Sequence, residues 1–292
     1  MTWRYLALGL LAMTAAVAAD KPIRTPADIP AEVRVERDVD FLGGGREEKA
    51  DLYLPAGGGT EARFPAVLII HGGGFTGGDK AASREINIGS NLALNGIVGM
   101  SVNYELSKAP GHATWPRNIH DCKTAVRWLR KNARRLRVDP ERIGVIGGSA
   151  GGVLAALVTL TRKEDGLEPA ALSEFSSAVK CGVDLYGPGD FTTRDNLQML
   201  GKTRAEAPEL YKQSSAVTYA RKGSPPLLIM HGTGDKTVPV QESEHLAEVM
   251  KKASAPHELI IIPDAPHTFD LQPKQRDLRD TVIGFFKKHL GG

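Results

Sequence analysis

Two cysteines in 292 residues are too few for a disulfide framework, and their places in the chain argue against even one bridge. Cys122 falls early in a predicted helix, near the carboxyl edge of the sheet, whereas Cys181 opens a predicted strand at the opposite edge, so two free, buried thiols are expected. Aromatic residues are scarce, at 6% of the chain, which leaves little to line a deep acyl tunnel. Excess charge of either sign is also lacking. Lys and Arg number 37 against 34 acids, a formal net charge of +3, and that balance is no footprint for a nucleic-acid partner. The densest basic stretch, Arg127, Arg130, Lys131, Arg134, Arg135 and Arg137, lies on a predicted helix whose apolar positions Ile119, Cys122, Val126 and Leu129 recur at helical spacing, so it reads as a solvated face. Sequence periodicity is missing as well: the 32 glycines gather in short clusters, which excludes collagen-like and solenoid architectures.

The one long apolar run, residues 5–17, is too short to span a bilayer comfortably. Arg4 precedes it, Ala16, Ala18 and Ala19 close it, and Asp20 and Pro22 follow at once, which is the pattern of a secretory signal peptide over residues 1–19. Cleavage after Ala18 or Ala19 would remove Arg4 and leave a charge of about +2. No cysteine follows the run to carry a lipid, so a secreted or periplasmic protein without a stable membrane anchor is expected.

Residues 20–292 fit a single domain, and 41% hydrophobic with 24% charged residues permits a packed core. Short β-rich runs at residues 66–70, 97–102, 142–146, 179–186, 226–231 and 258–263 alternate with helical patterns at 116–133, 150–161, 240–253 and 274–290. That alternation predicts an α/β fold, a mostly parallel central sheet with helices on both faces. Upstream, residues 33–41 and 49–54 alternate apolar and polar side chains across a Gly-rich turn and predict an antiparallel hairpin on the sheet edge. Residues 187–224 are the least regular, enough for a partial cap but too few for a lid domain, so an open site is expected.

Gly147-Gly148-Ser149-Ala150-Gly151 matches G-x-S-x-G, with a buried strand running in and a helix running out. A strand that becomes a helix within two residues strains the turn residue and needs small neighbours, and Ser149 then projects off the carboxyl edge of the sheet. A serine hydroxyl needs a base within reach and a third group to hold that base. Of eight histidines, His267 lies just after the last predicted strand, where a loop delivers it to the same edge. His71 and His231 end strands before Gly-rich turns and read as loop stabilisers through backbone hydrogen bonds. Asp235 follows the strand ending at His231 and completes the order Ser, Asp, His, with Asp184 and Asp190 as weaker candidates. The run His71-Gly72-Gly73-Gly74-Phe75 is costly in chain entropy unless its backbone has a task. Backbone N–H groups of Gly73, Gly74 and Ala150 are therefore candidates for an oxyanion hole, with the positive end of the helix from Ala150 behind them.

These motifs, in this order, resemble the α/β-hydrolase superfamily, and within it the esterase branch related to hormone-sensitive lipase and to bifunctional acetylxylan and feruloyl esterases. The resemblance runs over about residues 33–290. Besides the segments above it rests on Gly77-Gly78-Asp79, Trp115-Pro116 with Asp121, Arg127-Trp128-Leu129, His231-Gly232-Thr233-Gly234-Asp235 with Val238-Pro239, and Pro266-His267. It implies an α/β-hydrolase fold, the triad Ser149, Asp235 and His267, oxyanion donors Gly73, Gly74 and Ala150, no cofactor or metal, and a small-molecule or polysaccharide ester as substrate. The helical N-terminal cap common in the lipase-like branch is absent, which shifts the resemblance toward small carbohydrate esterases acting on acetyl or feruloyl groups of plant-type polysaccharide. Prolyl-oligopeptidase-like peptidases share the triad order but resemble G-x-S-Y-G-G, with tyrosine where Ala150 stands. Arylformamidase-like amidases share the fold, and a non-catalytic binding module is the remaining class.

Overall fold

The structure, a computed structural model, describes residues 21–57 and 63–291, so the leader expected at residues 1–19 lies outside it. Among the described residues, eight strands form one sheet. Strands β1 (Val33–Val39) and β2 (Ala50–Pro55) make the expected antiparallel hairpin, with β1 at the edge. Strand β2 then runs antiparallel to β4 (Val98–Val102), and the rest is parallel, in the order β4, β3 (Phe64–Ile70), β5 (Val138–Gly148), β6 (Gly182–Leu185), β7 (Leu227–Gly232) and β8 (His257–Ile262).

Alternate residues of each strand face opposite sides, and both sides are covered. Leu68, Val145 and Ile229 pack with helices α2 (Arg117–Lys131), α4 (Ala150–Leu160) and α6 (Gln241–Lys252), through Leu129, Leu154 and Leu246. Val67, Ile146 and Val183 pack on the other side with α1 (Ser83–Leu94) and α7 (Arg279–Leu290), through Ile88, Val282 and Phe286. Two short helices, α3 (Ala133–Leu136) and α5 (Pro208–Gln213), complete the set. The sheet separates the cysteines: Cys122 lies in the first layer and Cys181 in the second, both free and buried.

Two sequence expectations are corrected, and one helix had not been anticipated. Helix α7 begins at Arg279 rather than at residue 274, because Leu271 and Leu278 are both fully buried and a 2.8 Å backbone hydrogen bond between them closes a loop where the helix was expected to start. Helix α1 is not legible in the sequence, because its inward face carries Glu85, Asn87, Ser90 and Asn91 among the apolar residues and so breaks the helical period. The basic stretch is not uniformly solvated. Arg127 is buried and donates to the carbonyls of Pro169 and Ala171 at 2.6 and 2.8 Å, and Arg130 to those of Ser176 and Ala178 at 2.6 and 2.7 Å. The carbonyls of Pro169, Ala171, Ser176 and Ala178 thus take donors from these guanidinium groups, and Lys131, Arg134 and Arg135 keep the solvated side.

Asp184 lies under the first turn of α4, where a Cβ on Gly152 would stand 2.2 Å from its Oδ1. That oxygen accepts the Gly187 N–H at 2.9 Å, Oδ2 has no hydrogen-bond partner among the described residues, and burial pushes the carboxyl up to about 7. Its proton is therefore held more tightly in the folded chain than in the unfolded one, whose reference value is 3.8. The stability this contributes is complete below that reference and is lost as pH rises through about 7, on the order of a few kcal/mol. In thermal melts, the gain of Asp184→Asn over the native chain should therefore grow from pH 4 to pH 8; a constant difference would contradict it.

Candidate active site

The chain leaves β3 through α1 to β4 on one side, then returns through α2 to β5 on the other side of β3. Open parallel sheets place a crevice at the carboxyl ends of the strands where the order reverses in this way. The loops after β3, β5, β7 and β8 meet there.

Ser149 turns β5 into α4 with φ 57° and ψ −122°, a conformation that costs energy for any L-residue. Its N–H donates to the Leu185 carbonyl at the end of β6 at 2.8 Å, and its own carbonyl accepts the Gly152 N–H at 2.9 Å. The flanking glycines are sterically required. A Cβ on Gly147 would lie 2.1 Å from the Gly151 carbonyl oxygen, and one on Gly151 2.2 Å from that of Ile70.

Ser149 Oγ–H donates to His267 Nε2 at 3.0 Å, and His267 Nδ1–H donates to Asp235 Oδ2 at 2.5 Å; the ring's partners assign this tautomer. Two loops set the geometry. The β7 loop lies against the β8 loop through Thr233 N–H to the Ile262 carbonyl and Gly234 N–H to that of Ala265, both at 3.1 Å. Asp235 does not cap α6: its Oδ1 accepts the N–H groups of Thr237 and Val238 at 2.8 and 2.9 Å. Burial pushes the Asp235 carboxyl up, but the His267 and backbone hydrogen bonds outweigh it and hold the group below the usual carboxylate range. Asp184 and Asp190 stay out of this chain, the first under α4 and the second 3.3 Å from His245.

The rival histidines differ from each other. His71 does what the sequence suggested: Nδ1–H donates to the Gly72 carbonyl at 2.7 Å, the ring stacks on Tyr104 at 4.4 Å, and burial pushes its pKa down to about 4. His231 touches backbone too, at Val238, but its Nε2 also lies 3.1 Å from Asp235 Oδ2. That contact was not anticipated. The spacing His231-Gly-Thr-Gly-Asp235 carried the signal, a ring at a strand end with an acid four residues on.

Gly73 holds φ 114° and its carbonyl accepts the N–H groups of Thr76 and Gly77, which folds the glycine loop back on itself. A Cβ on Gly72 would stand 3.1 Å from that of Ser149, so the loop abuts the hydroxyl. Neither Gly73 nor Gly74 donates its N–H to another described residue, and Ala150, first in α4, has no carbonyl a turn behind it in the helix. A cavity of about 470 Å³ opens over Ser149, His71, the three glycines, Thr237 and His267. His267, Thr268, Ser83 and Arg84 also wall a second cavity of about 490 Å³, whose far side is Arg24, Asp264, Asp270, Lys274 and Gln275. Among the described residues, none from 187–224 lines either cavity. No group of three or more His, Cys, Asp or Glu among them is placed to hold a metal ion. No helix among them is long and apolar enough to cross a membrane.

The family model BD-FAE matches residues 50–250, the stretch that carries the glycine loop, Ser149 and Asp235. The chain belongs to the BD-FAE family. It is 30% identical to esterase LipQ of Mycobacterium tuberculosis over 80% of this chain and 57% of that protein. The chain spans just over half the length of the curated relatives it matches. A truncated carbohydrate esterase from gut microbiota superposes with a TM-score of 0.80 at 26% identity, over 92% of this chain and all of that one. Esterase Est2 of Thermogutta terrifontis gives 0.72 at 26% identity, over 89% and 93%. The α/β-hydrolase fold expected from the motifs is the fold of this BD-FAE chain.

Behind His267 of this BD-FAE chain stands a cluster that sequence reasoning missed. The Tyr186 ring meets the His267 ring edge-on at 4.8 Å, and its hydroxyl donates to the Phe269 carbonyl at 2.7 Å while accepting from Arg84 at 2.9 Å. Glu85 neutralises that buried guanidinium. The tyrosine so ties α1 and the end of β6 to the loop that carries His267. Tyr186→Phe keeps the ring and removes the tie. Each lost hydrogen bond is worth about 1 kcal/mol, so turnover should fall roughly tenfold with KM nearly unchanged. Steady-state kinetics on a folded variant check this, and an unchanged kcat would refute it.

Proposed function

We propose that this chain is a serine hydrolase of carboxylic esters, with Ser149 as nucleophile, His267 as general base and Asp235 as the acid that orients the imidazole. One observation carries the reading: the unbroken hydrogen-bonded path from Ser149 Oγ through His267 to Asp235. In the proposed reaction Oγ attacks the ester carbonyl as His267 Nε2 takes its proton. The free N–H groups of Gly73, Gly74 and Ala150 receive the charge that develops on the carbonyl oxygen. His267 then returns the proton to the leaving alcohol, and water releases the acyl group by the same steps.

The finer reading is a short acyl group on a polyhydroxylated alcohol, that is, acetyl or feruloyl esters of plant-type polysaccharide, with acetyl favoured. Among the described residues, the cavity over Ser149 is lined by glycines and by small, polar or charged side chains, with no Leu, Ile, Val, Phe or Trp on which a long acyl chain could pack. The second cavity, which shares Ser83, Arg84, His267 and Thr268 with the first, is walled by the hydrogen-bonding groups of Arg24, Asp264, Asp270, Lys274 and Gln275, which suit a polyhydroxylated alcohol. The structural relative named a carbohydrate esterase supports the same reading. On the purified protein, p-nitrophenyl acetate should be cleaved faster than the palmitate ester, acetylated xylan should release acetate, and Ser149→Ala should lose on the order of a million-fold in turnover. Preference for palmitate would sink the short-acyl reading. Cleavage of p-nitrophenyl acetate without release from xylan would sink only the sugar. Export is proposed on the leader pattern alone: expressed with its own leader, the mature protein should begin at Ala19 or Asp20 by N-terminal sequencing, and a chain still starting at residue 1 would refute it.

A further inference from the structure

We propose that His231 and Ser243 form a positioning pair for Asp235, extending the relay to five side chains: Ser149, His267, Asp235, His231 and Ser243. The inference rests on the triad reading above. His231 is fully buried, and its Nε2 lies 3.1 Å from Asp235 Oδ2, the same oxygen that accepts from His267, and 3.0 Å from the Val238 carbonyl. Both neighbours of Nε2 are acceptors, so Nε2 carries the hydrogen. At the other end of the ring, Nδ1 lies 2.7 Å from Ser243 Oγ on α6. Nδ1 has no hydrogen in this tautomer and accepts from the hydroxyl. Burial pushes the pKa of His231 down, which keeps the ring neutral and the tautomer single.

The arrangement has a chemical purpose. Thr237 and Val238 N–H groups hold Oδ1, but among the described residues Oδ2, the oxygen that faces His267, would have no donor besides His267 without His231. A neutral donor aimed at Oδ2 fixes its direction and draws part of its charge without adding a cation beside His267. The titratable or charged groups facing His231 are Asp235 on its own loop, His267 from the β8 loop, and Tyr186 from β6 edge-on at 6.5 Å. Apart from His267, none of them donates to Oδ2.

The test compares His231→Leu, His231→Gln and Ser243→Ala with the native enzyme on p-nitrophenyl acetate across pH. Loss of a hydrogen bond to a charged group is expected to lower kcat about tenfold to a hundredfold in His231→Leu, with KM within about twofold. Without that donor, Asp235 draws harder on protons, so the acid limb of kcat/KM should move to higher pH. His231→Gln, whose amide N–H reaches near the place of Nε2, should recover most of the rate, and Ser243→Ala should lose only a few-fold. A folded His231→Leu with native kcat and an unmoved acid limb would overturn the proposal, as would a Gln variant no better than Leu. Should the Leu variant not fold, the Gln and Ser243→Ala pair still decides: a Gln variant that also loses the rate, or a Ser243→Ala with no loss, overturns it. The low-field proton resonance of the His267–Asp235 hydrogen bond separates this from failure of the triad reading. It should persist in Ser149→Ala and move in His231→Leu, even if hydrolysis proves to run through another serine.

Discussion

The turn at Ser149 is held by a backbone hydrogen bond to the end of β6, and the rest of the site is arranged around it. A residue at φ 57° and ψ −122° relaxes unless its surroundings prevent it. Here the restraint comes from three directions: the Leu185 carbonyl takes its N–H, α4 takes its carbonyl, and the Gly147–Gly151 approach leaves no room for a different path. The hydroxyl is thereby fixed at the carboxyl edge of the sheet before any partner is considered. His267, the glycine loop and α1 are all brought to it.

Buried polar groups do the bringing. Apolar packing sets the layers, but it has no direction and cannot hold an imidazole to within a few tenths of an ångström. Direction comes from hydrogen bonds with one geometry each: Asp235 to the backbone of its own loop, Tyr186 to the Phe269 carbonyl, Asn87 to the Leu271 N–H at 3.1 Å. The same logic holds at the hairpin, where fully buried Asp51 is met by Lys80 and Arg37 at 2.8 and 2.9 Å and pins the start of the glycine loop's far end to β2. Burial also limits the charge around the pair His267 and Asp235: His71 and His231 are both held neutral, so neither adds a cation there.

Much of this was legible along the chain. Ser149, Asp235 and His267 could be read because each follows a strong β-run and the folding rule for parallel sheets sends such loops to one edge. Their meeting in one hydrogen-bonded path agrees with that reading. The glycine loop was legible for a different reason: three glycines in a row are costly unless the backbone uses them. Arg84, Glu85 and Tyr186 were not legible. Their helix and strand end carry polar residues inward, so they break the apolar period that would have announced them, and no spacing in the sequence links residues 84, 186 and 269.

The sequence by itself determined the layers and the chemistry available at their edge, because hydrophobic period and turn residues are local properties and each element needs only its own neighbours to declare itself. It determined the free thiols as well, since a helix start and a strand start fall at opposite ends of a parallel sheet. What it left open were the partners of polar side chains. Whether Arg127 faces water or the carbonyls of residues 169 and 171, and whether His231 serves its loop or Asp235, depends on which distant segments close over it. Hydrogen bonds act over about 3 Å, a scale on which the path of the folded chain alone decides who meets whom.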